Sequence, residues 1–113
     1  MDIRGNSFLV TGGRSQIGAH LAPLLLEQGA ARVVLFDNLM FGQDKVSPSV
    51  DDDRVAVVQG DVLNRDQLVE AMQGVDGVFS MAALLTLSIS KNPELGVQVN
   101  VQGVINAMEA SVQ

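Results

Sequence analysis

The sequence predicts an α/β fold, a doubly wound parallel sheet of about four strands with helices on both faces. Three observations carry this expectation. Short runs of Val, Leu and Phe alternate with helical patterns along the chain. Those runs are apolar throughout instead of alternating with polar residues, as strands covered on both faces are. The first run ends in a glycine pair that opens a helical pattern, and the second ends in an acid, Asp37.

Phe8-Leu9-Val10 is the first predicted strand, ending at Thr11-Gly12-Gly13. Ile17, Leu21, Leu24 and Leu25 follow at i, i+4, i+7 and i+8, and are expected to form the buried face of the first helix. Gly29 is its expected stop, and Pro23 is expected to kink it, because proline lacks an N–H and crowds the carbonyl one turn back. Val33-Val34-Leu35-Phe36 is the second strand, ending at Asp37. Residues 38–53 read as a loop holding Gly42, Pro48 and the run Asp51-Asp52-Asp53. Val55-Ala56-Val57-Val58 is the third strand, ending at Gly60-Asp61. Asn64 is the N-cap of the next helix, with Gln67 as its capping-box partner, an apolar face of Leu68, Val69 and Met72, and a stop at Gly74. Val78-Phe79 with Ser80-Met81 is the fourth strand. Asn92-Pro93 reads as N-cap and first position of a final long helix, with Val101, Val104, Ile105, Met108 and Val112 as its expected buried stripe.

Composition narrows the function classes. The chain has 113 residues, 47% of them hydrophobic, which suits one domain with a real core. A net charge of -6 argues against binding nucleic acid or an anionic membrane. No cysteine is present, so disulfides, thiolate metal sites and a cysteine nucleophile are excluded. No apolar run reaches the roughly 18 residues of a membrane span, and the start Met1-Asp2-Ile3-Arg4-Gly5-Asn6 does not read as a signal peptide. A cytoplasmic setting is the expectation. His20 is the only histidine, tyrosine and tryptophan are absent, and Lys45 and Lys91 are the only lysines. No catalytic residue is therefore assigned. Asp51-Asp52-Asp53 reads as a solvated acidic loop, since three adjacent carboxylates cannot readily face one ion, and no metal site is assigned.

Thr11-Gly12-Gly13-Arg14-Ser15-Gln16-Ile17-Gly18 lies between the first strand and the first helix. A doubly wound fold binds a pyrophosphate there, because N–H groups at the helix start and the helix dipole both favour negative charge. Gly12 permits the tight turn, and Gly18 lets the helix pack close to the strand. Asp37 stands 19 positions after Gly18, where an acid can accept hydrogen bonds from the adenosine ribose hydroxyls. Its charge would repel a 2′-phosphate, so NAD is expected over NADP, although Arg14 in the loop pulls the other way.

With these signatures in place, the chain resembles the N-terminal Rossmann part of an extended short-chain dehydrogenase/reductase, in the NAD-dependent epimerase/dehydratase family. Thr11-Gly12-Gly13 through Ile17-Gly18 is similar to that family's TGGxGxIG loop, and Val34-Leu35-Phe36-Asp37-Asn38-Leu39 to the end of its second strand. Gly60-Asp61-Val62 resembles the element that meets the adenine, where a carboxylate can accept from the exocyclic amine. Met81-Ala82-Ala83 resembles the alanine pair lining the cofactor. Asn92-Pro93 to Asn100-Val101-Gln102-Gly103 resembles the opening of the long helix, which implies Asn100 near the nicotinamide side. The cofactor-binding set so implied is Gly12, Ser15, Gln16, Ile17, Gly18, Asp37, Asn38, Asp61, Val62, Ala82, Ala83 and Asn100.

Three features depart from the family pattern. Ser15 replaces the middle glycine of the loop, so its Cβ would crowd the pyrophosphate or its hydroxyl would donate to a phosphate oxygen. Leu85 stands where related epimerases often carry a polar or basic residue. The family's Tyr-x-x-x-Lys and its Ser/Thr partner are not within these residues, so residues 1–113 are expected to be a single NAD(P)-binding domain cut before the catalytic and substrate-binding part.

The resemblance implies the NAD-binding portion of an oxidoreductase acting on a nucleotide-sugar or similar hydroxyl substrate, with a likeness to family members that dimerise through the final helix. A homodimer is therefore expected, through that helix, where Leu95, Val97 and Val99 would lack cover, the fourth-strand edge, or both. Whether this chain by itself is an enzyme stays open. A non-enzymatic NAD-binding sensor or interaction module needs the same loop, and a methyltransferase-type fold pairs a glycine loop with a similarly placed acid.

Overall fold

The computed structural model describes residues 2–39, 52–84 and 86–112. Gly42, Lys45, Pro48, Asp51 and Leu85 lie outside the described residues. The elements are β1 (Ser7–Thr11), α1 (Gln16–Glu27), β2 (Arg32–Asp37), β3 (Val55–Gln59), α2 (Arg65–Ala71), β4 (Gly77–Ser80), α3 (Thr86–Lys91), α4 (Pro93–Val97), a π-helical turn over Gln98–Gln102, and α5 (Gly103–Ser111). The four strands form one sheet in the order β3-β2-β1-β4, and every pairing is parallel. This is the Rossmann-like half-sheet expected.

Alternation along the two central strands sorts the core into two layers. Phe8 and Val10 of β1 and Val33 and Leu35 of β2 face α1, where they meet Ala22, Leu25 and Leu26. Leu9, Val34 and Phe36 face the other way, onto Leu68 and Met72 beside α2 and Ala107 and Ala110 of α5. Helices therefore cover both faces. All of Leu9, Val10, Val33, Val34, Leu35 and Phe36 are fully buried. The outer strands β3 and β4 are only partly buried, and β4 is an edge among the described residues.

Two helix faces differ from expectation. In α1, Ile17 and Leu24 are exposed, and the buried set is Gly18, Ala22, Leu25 and Leu26. In the final helix, Val101, Ile105, Met108 and Val112 are exposed, and Gly103, Asn106, Ala107 and Ala110 are buried. Each helix makes a close approach at a glycine, although Leu25 and Leu26 of α1 are buried against the sheet as well. A Cβ on Gly18 would sit 2.6 Å from the Gly13 carbonyl oxygen, and one on Gly103 would sit 2.7 Å from Val62 Cγ2. Aliphatic bulk alone points to the neighbouring stripe, one residue away.

Local signals fared better. Pro23 is the exception, since α1 is continuous over Gln16–Glu27 where a kink is expected. Gly74, with φ 76°, follows α2, and the Asn92 side chain caps α4 by accepting from the Leu95 N–H. Asn64 caps α2 by accepting from the Gln67 N–H at 3.2 Å. The capping box is not reciprocal, however. Gln67 Oε1 accepts from the Asp61 N–H at 2.9 Å, because the Asn64 N–H already donates to the Asp61 carbonyl. Helix α3 was not foreseen. No helix of the described residues is long and apolar enough to cross a membrane.

Candidate dinucleotide site

The chain passes from β1 outward through β2 to β3, then returns to place β4 on the other side of β1. At such a reversal the loops after β1 and β4 diverge, and the crevice between them at the carboxyl ends of the strands is where doubly wound sheets bind ligands. The glycine loop forms one wall and residues 81–84 the other.

The glycine loop is held by packing at three points. Gly12 has φ 67°, and a Cβ there would lie 3.0 Å from Ala82 Cα. Gly13 is buried, its N–H donates to the Phe36 carbonyl at 3.2 Å, and a Cβ would lie 2.7 Å from Leu35 Cα. The third point is the close approach of Gly18 to Gly13 already described. Ser15, Gln16 and Ile17 are exposed at the start of α1. Ser15 is the N-cap: its Oγ accepts from the Gly18 N–H at 3.2 Å. The first-turn N–H groups of Gln16 and Ile17 have no upstream helical carbonyl and stand at the positive end of a twelve-residue helix.

Asp37 is fixed at the end of β2 by two backbone donors. The Arg14 N–H reaches its Oδ2 at 2.9 Å, and the Leu39 N–H reaches its Oδ1 at 2.8 Å. Leu39 has φ 59°, a left-handed conformation that this second bond helps to hold. A carboxylate offers about four lone-pair directions, so both oxygens keep acceptor capacity. Asn38 is exposed beside it. Asp61 is exposed, with its Oδ1 accepting from the Leu63 N–H at 2.9 Å, and Val62 is half-buried against Gly103.

On the opposite wall, Ala82 is half-buried and Ala83 exposed. The Asn100 side chain reaches this wall through Leu84: its Oδ1 accepts from the Leu84 N–H at 2.8 Å, and its Nδ2 donates to the Leu84 carbonyl at 3.0 Å. The structure thus gives Asn100 a bracing position beneath residues 82–84. Three further residues lie outside the cofactor-binding set that the sequence implies. Gly13 is one. Thr11 is fully buried, and its Oγ1 accepts from the N–H groups of Met81 at 3.0 Å and Ala82 at 3.2 Å. Asn106 is 4% exposed and bonds to the loop after β3. The signal for Thr11 was its place just before the glycine pair; for Asn106 it was an amide among small residues.

The residues present fit a dinucleotide. A glycine-lined turn, uncapped first-turn donors and a fixed acceptor at the next strand end are all on one edge of the sheet. Asp52 is paired to Arg54, with Oδ2 2.8 Å from Nη2, and that guanidinium holds the carboxyl down at about 2. Asp53 is exposed. His20 is exposed on α1. An open hollow of about 540 Å³ beside β3 and α2, lined by Arg32, Val58, Gln59, Gln67 and Glu70 among others, does not touch the glycine loop.

Residues 9–113 match the 3-beta hydroxysteroid dehydrogenase/isomerase family. Human 3 beta-hydroxysteroid dehydrogenase type 7 is 34% identical over 113 residues, covering 94% of this chain and 29% of that protein. An epimerase from Methanothermobacter thermautotrophicus superposes with a TM-score of 0.87 at 30% identity, over 96% of this chain and 32% of that one. A dTDP-glucose 4,6-dehydratase from Streptomyces venezuelae, solved with NAD bound, gives 0.85 at 27% identity, over 94% of this chain and 35% of that one. The chain spans about a third of the length of the proteins it matches.

Proposed function

Because the chain belongs to the 3-beta hydroxysteroid dehydrogenase/isomerase family, we propose that it is the NAD-binding portion of an epimerase/dehydratase-like oxidoreductase. The observation that carries this reading is the lock between the glycine loop and Asp37 at the point where the strand order reverses. The substrate in this proposal is a nucleotide-sugar or similar hydroxyl compound. The human relative's name adds a hydroxysteroid to that class, and the dehydratase's name a nucleotide-sugar.

NAD, when bound, supplies an acceptor for the hydride of a secondary alcohol. The residues of this chain bind and orient it. The first-turn N–H groups of Gln16 and Ile17 meet the pyrophosphate charge. The Ser15 hydroxyl accepts from Gly18, which leaves its own hydrogen to donate to a phosphate oxygen. The Asp37 carboxylate, kept in place by Arg14 and Leu39, accepts from the adenosine ribose hydroxyls and repels a 2′-phosphate, so NAD is preferred to NADP. Asp61 accepts from the adenine amine beside Val62. The small side chains of Ala82 and Ala83 let the cofactor approach the opposite wall, which Thr11 and Asn100 brace from beneath.

Association is part of the proposal. Val97, Val101, Ile105, Met108 and Val112 form one exposed apolar line along the final helix, and each is at least 44% exposed. Burying such area is worth roughly 25 cal/mol per Å². A homodimer through this face is the reading it supports, whereas Leu95 and Val99, half-buried, contribute less than their sequence positions suggested.

Calorimetric titration with NAD, NADP and S-adenosylmethionine tests the proposal. Saturable NAD binding that exceeds NADP binding supports it. Binding of S-adenosylmethionine alone would replace it with a methyltransferase-type reading.

A further inference from the structure

Asn106 is a polar side chain in an apolar layer. It is 4% exposed, on the face of α5 that packs against Leu68 and Met72. Burying an amide is costly unless its groups are bonded, and here they are. Its Oδ1 accepts from Gln102 Nε2 at 2.9 Å and from Arg65 Nη2 at 3.2 Å, and its Nδ2 donates to the Val62 carbonyl at 3.0 Å. The amide orientation follows from chemistry, since flipping it would set an NH2 group against the Arg65 guanidinium, which can only donate, and an oxygen against the Val62 carbonyl.

The bond to Val62 spans 44 residues and ties α5 to the loop between β3 and α2. That loop carries Asp61. The same loop is fixed from its other side by Gln67, whose Oε1 accepts from the Asp61 N–H. Gly103 lies one turn before Asn106 and leaves room for the Val62 side chain, which a Cβ would meet at 2.7 Å. The helical segment from Asn100 to Asn106 thus reaches two of the segments that follow strands. Asn100 holds the segment after β4, and Asn106 holds the segment after β3.

We infer that Asn106 is a positioning residue for the adenosine end of the dinucleotide site, setting the Asp61-Val62 backbone through its bond to the Val62 carbonyl. This rests on the NAD-binding reading above. Asn106 acts through Val62 and Asp61 and is not itself placed against the cofactor.

Asn106→Asp isolates the decisive bond. It keeps an oxygen for Arg65 and Gln102, removes the donor to Val62 and turns a carboxylate toward that carbonyl. Gln102→Ala is the control, removing a partner of Asn106 while leaving the Val62 bond. Affinities for NAD, ADP-ribose and AMP are measured by calorimetry below the melting temperature of each variant. Asn106→Asp is expected to weaken all three ligands by the same factor, about fivefold for one lost hydrogen bond, and Gln102→Ala to change any of them by less than about twofold. Equal loss with ADP-ribose, which has no nicotinamide, excludes that end, and equal loss with AMP, which also lacks the pyrophosphate and second ribose, assigns the defect to the adenosine half. A folded Asn106→Asp protein with unchanged affinities, or a Gln102→Ala protein equally impaired, overturns the inference.

Should Asn106→Asp fail to fold, the unmodified chain still decides. The Asn106 side-chain amide resonance is expected to shift on titration with ADP-ribose, and a resonance that stays fixed at saturation overturns the inference. Failure of the unmodified chain to bind either NAD or ADP-ribose would overturn both this inference and the cofactor reading. Binding without the Asn106 effects overturns this inference alone.

Discussion

The backbone N–H of Arg14 donates to Oδ2 of Asp37 at 2.9 Å, joining the glycine loop to the end of β2 across 23 residues. The acid proposed to read the ribose is therefore also a fastener of the loop proposed to hold the pyrophosphate. Both functions depend on its charge, since hydrogen bonds to an ionised acceptor are stronger than neutral ones.

Asp37→Ala removes both functions. It is expected to lower stability by about 1–3 kcal/mol, the cost of leaving donors unpaired, and to weaken NAD by at least about tenfold. Asp37→Asn keeps an oxygen for one backbone donor and is expected to lose less stability while still narrowing the preference for NAD over NADP. Urea melts and calorimetry read the two effects separately. An Asp37→Ala protein that binds NAD normally would remove Asp37 from the site.

Ser15 distinguishes capping from ligand binding. Ser15→Ala is expected to cost about 1 kcal/mol of stability and Ser15→Gly only a few tenths, the usual ranking at an N-cap. Both lose the hydroxyl, so both are expected to weaken NAD by about fivefold. Tighter NAD binding by Ser15→Gly would mean instead that the Cβ crowds the pyrophosphate.

Thr11→Val tests the tie between the two walls. It is nearly isosteric but removes the Oγ1 acceptor shared by the N–H groups of Met81 and Ala82; Met81 keeps the Thr11 carbonyl at 3.2 Å, so the loss falls on Ala82. A loss of about 1–3 kcal/mol in chemical denaturation is expected, with Thr11→Ser losing less. Equal stability of Thr11→Val and the unmodified chain would show that water satisfies the Ala82 donor.

The Asp52–Arg54 pair gives the acid limb of stability a definite window. Its folded carboxyl lies near 2 against an ordinary value of 3.8, because the Arg54 side chain and backbone both donate to it. The stabilisation is thus present above about pH 4 and lost as pH falls through about 2. Both groups face solvent, so the effect is small and shrinks with added salt. Asp52→Asn is expected to be less stable than the unmodified chain at pH 5 and to converge with it near pH 2. Parallel pH profiles would contradict the pairing.

The exposed line on the final helix predicts concentration-dependent association. Ile105→Lys together with Val101→Lys is expected to shift sedimentation at micromolar concentration toward monomer while leaving the fold intact, because both side chains already face solvent. A chain that is monomeric before substitution would contradict the dimer proposal.

What was legible in the sequence was chiefly local. Strand runs such as Val33–Phe36, the caps at Asn64 and Asn92, and the stop at Gly74 each announce themselves within a few residues, and the sheet followed from their order. The helix faces misled because the eye follows Leu, Ile and Met. The buried stripe instead includes small residues, Gly18 and Ala22 beside Leu25 and Leu26 in one helix, and Gly103, Ala107 and Ala110 in the other. The candidate site was legible as motifs and not as a network. Nothing local in Thr11 points to Met81, nor in Asn100 to Leu84, because those partners lie 70 and 16 residues away. Ser15 read as a departure from a glycine pattern, and its capping role emerges only with the helix start in place.

We propose that NAD lies in the crevice between the glycine loop and residues 81–84. The most direct test is an amide correlation spectrum of the isotopically labelled chain, followed through NAD titration. The account predicts that the largest shifts fall on Gly12–Gly18, Asp37–Leu39, Asp61–Val62 and Ala82–Leu84, with those on the far side of α1 unmoved. Shifts confined to the hollow beside β3 and α2, or none at saturating NAD, would contradict it.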